Sequence, residues 1–447
     1  IARIAKMKLL LEANGKTNIL CTNSLEDLDS VKLSLGQQNG FDLVLTNPPF
    51  GAKITQSSVL SKFDLGHKWG NKSNEFYQTK TVYANQNAEI LFIERCLQLL
   101  KEGGRMAIVL PNGNFENPSL DYLRYYIKQK AKVLAIVNLP QETFIPFGTG
   151  VKTSLLFLEK DTKNEEKHYP IFFGRITKLG YQGNKNGTPI YQKDKFGQII
   201  KDENKQPILD EDFSATIENY KAFLKGKKIE TENSFSIQFN ELNGRFDYDF
   251  YSPENRKLFS NLTNFKTVRL GDICEIVKTK SRKLKDPNLI VEYVELSDIN
   301  THSYEIINST TSQVHELPSR ASYEIEQGDI ITAIAGNSVG TRKHATALVT
   351  EDLAGSICTN GFRVFRNFKI DSYYLLYYLK SEMFLKQMFM YRTGAAIPNV
   401  SDTDLANIII HLPEQKTIDD ISNKMKKAFE LRQASKQQIE SIELEFA

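Results

Sequence analysis

Asp42-Leu43-Val44-Leu45-Thr46-Asn47-Pro48-Pro49-Phe50-Gly51 decides how this chain is read. A short apolar run ends in an asparagine, two prolines and an aromatic. The run predicts a buried strand, and the prolines that follow remove backbone donors and stop it. Asn47 then stands at the carboxyl end of a strand, where open α/β sheets bind ligands. Its side-chain oxygen and the Pro48 carbonyl are two acceptors beside the flat face of Phe50. That array suits a planar substrate carrying an –NH2 group. The lone pair of such an amine is delocalised into its ring, so it is a poor nucleophile. Two acceptors on its N–H bonds favour a pyramidal nitrogen and stabilise the positive charge that grows on attack. A stacked aromatic adds roughly 1–3 kcal/mol per base. No general base stands out here, so the expected electrophile is an activated methyl group. The plainer reading of the same residues is a turn after a strand.

The segment Asn47-Pro48-Pro49-Phe50 resembles the catalytic loop of amino-group methyltransferases that use S-adenosylmethionine. It is most similar to the N6-adenine DNA methyltransferases of type I and type IIG restriction–modification systems. The same tetrad occurs in RNA guanine-N2 and protein glutamine-N5 methyltransferases, so it specifies the reaction more closely than the substrate. The resemblance implies Asn47, Pro48 and Phe50 as catalytic residues, with Asn47 also touching the cofactor. The loop at Asn23 matches a family position, usually Asp, that contacts the cofactor adenine; asparagine here is a departure.

Composition sets the outer bounds. The chain has 447 residues, enough for two or three domains, and its 40% hydrophobic and 25% charged content is ordinary for a globular protein. A net charge of +3 excludes an overwhelming basic field but leaves room for a local basic groove. Cys21, Cys96, Cys274 and Cys358 are scattered. They read as reduced thiols with no metal role, and Cys21 as a buried strand residue. No apolar run approaches membrane-spanning length and no signal peptide is visible. With the resemblance, this implies a cytoplasmic protein of a bacterium or archaeon.

Around the tip, the sequence alternates in a βα pattern. Residues 1–11 read as a helix, followed by a strand at Ile19–Cys21. The family's glycine-rich cofactor loop and its ribose-binding acid do not precede them, so the chain is expected to be a fragment lacking its first βα units. The stretch 52–87 is polar and long, either a functional loop or a mobile insertion. Ala88–Leu100 reads as a helix ended by Gly103-Gly104, 105–110 as a buried strand, 120–130 as a helix and 133–139 as a strand. This alternation predicts a parallel sheet with helices on both faces, a partial Rossmann-like methyltransferase sheet. Thr143-Phe144-Ile145-Pro146 and Gly150–Phe157 resemble the type I modification subunit. There the aromatic matching Phe144 packs on the second face of the target base; otherwise Phe144 is a core residue. A base inside a duplex has its amine paired and its faces stacked, so the enzyme would flip it out, between Phe50 and Phe144.

The texture then changes. Residues 161–265 are charged, suggest a small hairpin near 188–201 and a helix at 217–224, and read as an extension and linker. Gly244–Pro253 resembles the entry to restriction specificity domains. From Val268 onward, short strands near 290–296, 328–333, 345–349 and 361–365, with helices at 373–379 and 383–390, predict a mostly β unit. With 393–400 and 408–415 they resemble one half of a type I specificity subunit, a target recognition domain followed by a long helix. The expected domains are therefore 1–160 catalytic, 161–265 linker, 266–414 target recognition and 415–447 spacer helix. In that helix Ile418, Ile421, Met425 and Ala428, then Ile439, Ile442 and Phe446, form a narrow coiled-coil-like stripe interrupted by Arg432 and Ser435. It implies a second copy or a subunit partner. Arg320, Asn337, Arg342 and Lys343 lie in polar loops and are the candidate DNA contacts; most basic contacts go to phosphates and fix register only.

Two functional readings follow. The first is site-specific methylation of adenine N6 in double-stranded DNA, with S-adenosylmethionine as cofactor. Both functions on one chain favour type IIG over a separate type I subunit. The second is a non-catalytic DNA-recognition and assembly fragment. An RNA or protein amine methyltransferase is the remaining alternative.

Overall fold

Six strands build the sheet that carries the Asn47 tip. They are β1 (Phe41–Thr46), β2 (Leu100–Pro111), β3 (Ala131–Asn138), β4 (Thr153–Lys160), β5 (Pro170–Arg175) and β6 (Ser234–Gln238), in the order β1-β2-β4-β3-β5-β6. The computed structural model describes all residues except 1, 14–18, 20, 37–38, 73–74, 164–165, 167, 243, 263–264, 395–396 and 447. It divides into two units, Ile1–Pro253 and Glu254–Ala447.

The sheet is mixed rather than parallel. β1 and β2 run parallel, as do β3 and β5, but β4 runs antiparallel to both β2 and β3, and β6 antiparallel to β5. The reason is the β3–β4 connection. Residues 139–152 turn the chain straight back instead of crossing over through a helix, and only such a return gives antiparallel neighbours. The residues expected as a linker contribute β5 and β6 to this sheet. Their aromatics make that possible: Phe173 and Phe235 stack across the two strands with centroids 5.1 Å apart.

Helices cover both faces. α1 spans Ala2–Ala13 and α2 Leu28–Leu35. α3 (Ala88–Leu99) and α4 (Asp121–Lys130) bury Ile90, Leu91, Ile93, Leu97, Leu123 and Ile127 against Met106, Ile108, Leu110, Val133 and Leu156. On the other face α5 (Phe213–Leu224) lays Tyr220 and Phe223 over Ala135 of β3 and Phe172 of β5. α3 ends at Leu99, and β2 begins at once at Leu100, before the glycines.

Two strand expectations fail. β1 was expected buried, yet Leu43 is 58% and Leu45 69% exposed. Among the described residues β1 pairs on one side only, with β2, and α5 covers β3 and β5 instead. Val44 alone packs into the core below. Ile19 and Cys21 lie in no strand and Cys21 is exposed, because no described strand lies alongside to pair with them. In α1, Ile4, Met7 and Leu11 are exposed as well.

The 52–87 insertion is folded. Strands His67–Lys72 and Glu75–Val82 form a hairpin. Trp69 anchors it, stacking on Tyr122 of α4 at 6.1 Å and donating its indole N–H to the Asp64 carbonyl at 3.2 Å. Residues 178–212 form a solvated ribbon with three similar turns in succession. In each, Asn184, Asp194 or Asp202 accepts two backbone N–H groups on its side-chain oxygen. The left-handed position is Gly187, Gly197 and then Lys205, at φ +57, +82 and +61.

The second unit has two four-stranded sheets. One orders Glu275–Ile276, Phe362–Arg366, Ile330–Ala333 and Thr346–Leu348, all antiparallel. The other orders Thr310–Gln313, Ile290–Val294, Ile357–Thr359 and Ala321–Glu324, with Ile290–Val294 and Ile357–Thr359 parallel. α6 (Ser372–Tyr378), α7 (Glu382–Tyr391) and α8 (Gln415–Phe446) complete it. The start of α8 departs from the coiled-coil expectation. Ile418, Ile421 and Met425 pack into this unit's own core, and Phe429 meets Tyr373 of α6 at 6.0 Å. Arg432 reaches back to the Ser303 carbonyl at 2.7 Å. Leu431 and Ile439 remain exposed, while the side chains of Ile442 and Phe446 lie outside the described residues. Among the described residues no helix is long and apolar enough to cross a membrane.

Candidate functional site

The site is built from the carboxyl ends of β1, β2 and β3. Asn47 follows β1 directly and is exposed; Pro48 is buried and Phe50 half-buried. Phe144 comes from the β3–β4 connection, on a 3-10 turn spanning Gln141–Phe147. It rests against Val137, Leu139 and Ile176.

The fold brings Phe50 and Phe144 together although 94 positions separate them. Their centroids stand 6.0 Å apart at an interplanar angle of 77°, edge to face. A base held between two parallel rings needs about 7 Å, twice a carbon contact distance. The pair as it stands closes that slot, and one ring has to turn to admit a planar guest. Phe144 also meets Phe147 at 6.4 Å.

Polar side chains that sequence reasoning passed over pin the Phe144 connection. Asn112 follows β2, Asn138 ends β3 and Ser154 lies at the start of β4; all are buried. Ser154 donates to Asn112 Oδ1 at 2.9 Å and receives the Asn138 amide at 3.3 Å. The Asn112 N–H binds the Lys152 carbonyl and the Leu139 N–H the Thr153 carbonyl, closing both ends of residues 139–152. Tyr181 of the ribbon donates to the Thr143 carbonyl at 2.7 Å, beside Phe144. The only sequence signal was Pro111-Asn112-Gly113, which reads as a turn.

Charge collects near the same strand ends. Lys152 and Arg175 both pair with Asp249. Burial pushes Asp249 up, but Lys152 and Arg175 outweigh it and hold its carboxyl below the ordinary value. The Arg175 guanidinium also lies 4.2 Å over the Tyr248 ring. Glu89 of α3 is buried next to the tip and accepts the Gly51 N–H at 3.2 Å.

Asn23 is exposed in the turn before α2. Its Oδ1 accepts the Leu25 N–H at 3.1 Å, which leaves its NH2 to donate to a ligand. Among the described residues no cluster of His, Cys, Asp and Glu could hold a metal ion.

The recognition candidates all lie in the second unit. Asn337, Arg342 and Lys343 share the exposed loop after Ile330–Ala333, while Arg320 stands apart and is paired with Glu295 at 2.5 Å. The shared loop is held from beneath. His344 is fully buried, accepts the Gly340 N–H on Nδ1 at 3.1 Å and meets Thr332 Oγ1 through Nε2 at 2.8 Å. Arg392 donates to the Val339 carbonyl at 3.1 Å. Gly340 sits at φ +72 against the α7 backbone, where a Cβ would come 2.4 Å from the Phe389 nitrogen.

The family described as N-6 DNA Methylase matches residues 1–251, more than half of the sequence. This chain belongs to the N-6 DNA methylase family. A second family, the Type I restriction modification DNA specificity domain, matches residues 263–441. The methylase is 29% identical over 126 residues to the type I restriction enzyme EcoEI methylase subunit of Escherichia coli, covering 28% of this chain and 22% of that one. It is 26% identical over 165 residues to the type II restriction enzyme and methyltransferase RM.Eco57I of Escherichia coli, covering 35% and 16%. It thus spans about a fifth of the length of these relatives. Among solved structures it is similar to the HsdS subunit from Thermoanaerobacter tengcongensis, with 30% identity, a TM-score of 0.31 and 40% and 47% coverage.

Proposed function

We propose that this methylase transfers a methyl group to adenine N6 of an extruded base in duplex DNA, within a restriction–modification system. The meeting of Phe50 and Phe144 beside Asn47 carries the reading. Neither ring is near the other in sequence, and both edge the strand end that holds the two acceptors. Asn47 Oδ1 and the Pro48 carbonyl grip the amine, Phe50 and a turned Phe144 hold the ring, and the growing charge falls on aimed dipoles. S-adenosylmethionine, when bound, supplies the methyl group; Asn23 and Asn47 are the residues that would hold it. The exposed Asn23 suits this, since its amide can donate to an adenine ring nitrogen.

The second unit selects the site. Asn337, Arg342 and Lys343 reach the DNA from one braced loop, and Arg320 from a separate one. On this reading residues 1–160 are the catalytic domain, 161–265 an extension, 266–414 the recognition domain and 415–447 a spacer helix. The exposed far half of that helix, with Leu431 and Ile439, meets a second copy or another subunit. Both functions on one chain favour type IIG, in the cytoplasm of a bacterium or archaeon.

Asn47→Ala tests the mechanism. Methyl transfer to duplex by the intact protein should fall by at least ~100-fold, the cost of one aimed polar group. Duplex affinity should stay within about twofold. A mutant that methylates at the wild-type rate rejects the mechanism. An intact wild-type protein that binds duplex without methylating leaves recognition and assembly as the function.

A further inference from the structure

The tip has little backbone hydrogen bonding of its own to hold it. Pro48 and Pro49 have no N–H, so the chain leaving Phe50 depends on what Gly51 meets. Gly51 donates its N–H to Glu89 Oε2 at 3.2 Å. The next residues run alongside the start of α3: the Ala88 N–H binds the Ala52 carbonyl at 2.7 Å, and Lys53 pairs with Asn87. Gly51 turns at φ +69, which gives the exit its direction.

Glu89 is an unusual residue to bury. It is 3% exposed in the first turn of α3. Burial pushes its carboxyl up; its own backbone N–H, the Gly51 N–H and the Asn87 side chain pull it down. A buried acid is costly unless donors converge on it, and a helix N-terminus is where its charge is best tolerated. Glu94, on the same helix and 2% exposed, provides a contrast. It accepts the Asp64 and Leu65 N–H groups, both at 2.9 Å, so it holds the insertion and not the tip.

We infer that Glu89 is a positioning residue for methyl transfer: it fixes the exit of the Asn47–Phe50 loop, and so keeps the two acceptors and the Phe50 ring aimed. The inference rests on the function proposed above. Without the Glu89 acceptor the Gly51 amide turns elsewhere, and the tip loses its aim while its residues remain intact. A shift of about 1 Å in an aimed group costs on the order of 100-fold in rate.

The test uses the intact protein and its duplex target, with single-turnover methyl transfer as the readout. Glu89→Ala, and Glu89→Met, which keeps volume and helix propensity, should each slow transfer by about 100-fold. Affinity for duplex should stay within about threefold, since phosphate and base contacts lie outside the tip. Glu89→Gln, whose side-chain oxygen still accepts from Gly51, should stay within about fivefold of wild type. 2-Aminopurine at the target position should emit more strongly in Glu89→Met than in wild type, because Phe50 no longer stacks on it. Glu94→Ala serves as the matched loss of a buried acid; it should lower the melting temperature and leave the transfer rate within about threefold. If Glu89→Ala does not fold, Glu89→Met decides. Wild-type transfer by Glu89→Met, or a loss no larger than that of Glu94→Ala, overturns the inference. An inactive wild-type protein instead overturns the proposed function on which it rests.

Discussion

Leu43-Val44-Leu45 and Ile330-Ile331-Thr332-Ala333 look alike as sequence, yet they end in opposite surroundings. All four residues of the second stretch are buried, at 0% exposure. In the first, Leu43 and Leu45 stand in solvent. Both are strands. The difference is in what flanks them. Ile330–Ala333 has a paired strand on each side and helices across one face, whereas β1 has, among the described residues, one neighbour and one covered face. An apolar run therefore specifies a strand, and its neighbours decide whether the strand is buried. A fully buried leucine contributes ~1.5–3 kcal/mol, so the exposed leucines of β1 forgo a few kcal/mol of stabilisation next to Asn47.

The largest expected effect is on the closed strand. Ile331→Ala should destabilise the second unit by about 2–5 kcal/mol, the cost of a cavity in a packed core. Leu45→Ala should change stability by less than ~0.5 kcal/mol, as an exposed substitution does. Chemical denaturation of both variants checks this. Equal losses would mean that β1 is covered in solution and would remove the contrast.

Acidity should separate the two units next. Burial pushes the Glu94 carboxyl up to about 7 from an ordinary 4.5. Between these values the unfolded chain is ionised while the folded one keeps its proton. The first unit should therefore lose stability as pH rises from about 4.5 to about 7. Burial pushes the His344 imidazole the other way, down to about 3 from 6.5. Between those values the unfolded chain takes a proton that the folded one refuses. The second unit should lose stability as pH falls from about 6.5 towards 3. Each slope is at most ~1.4 kcal/mol per pH unit. Trp69, the only tryptophan, reports on the first unit alone. Glu94→Gln and His344→Gln should each flatten the slope of its own unit, and unchanged slopes would refute the assignment.

The smallest effect tests the ribbon. Lys205 occupies the left-handed position that Gly187 and Gly197 fill in the other two turns. Lys205→Gly should relieve ~1 kcal/mol of local strain, seen as slower proteolysis between residues 198 and 209. Faster cleavage would show that the turn gains more from a stiffer residue than it loses to strain.

Much of the second unit was legible because its strands are short, apolar and separated by turn residues, a pattern that depends on local chemistry alone. The insertion was not, because Trp69 and Glu94 anchor it through partners that local chemistry does not name. The same holds for Ile418, Ile421 and Met425. Their spacing shows one apolar stripe but not which surface takes it, and α6 lies within reach.

The sequence by itself determined the strand, the proline stop and the acceptors at Asn47 and Pro48, since each follows from backbone geometry and side-chain chemistry within ten residues. Tertiary structure decided that β4 runs backwards, that Phe144 stands against Phe50, and that Glu89 lies under Gly51. Those are contacts between residues 38 and 94 positions apart. Their partners are chosen by how the sheet and its helices pack, which no stretch of the chain encodes alone.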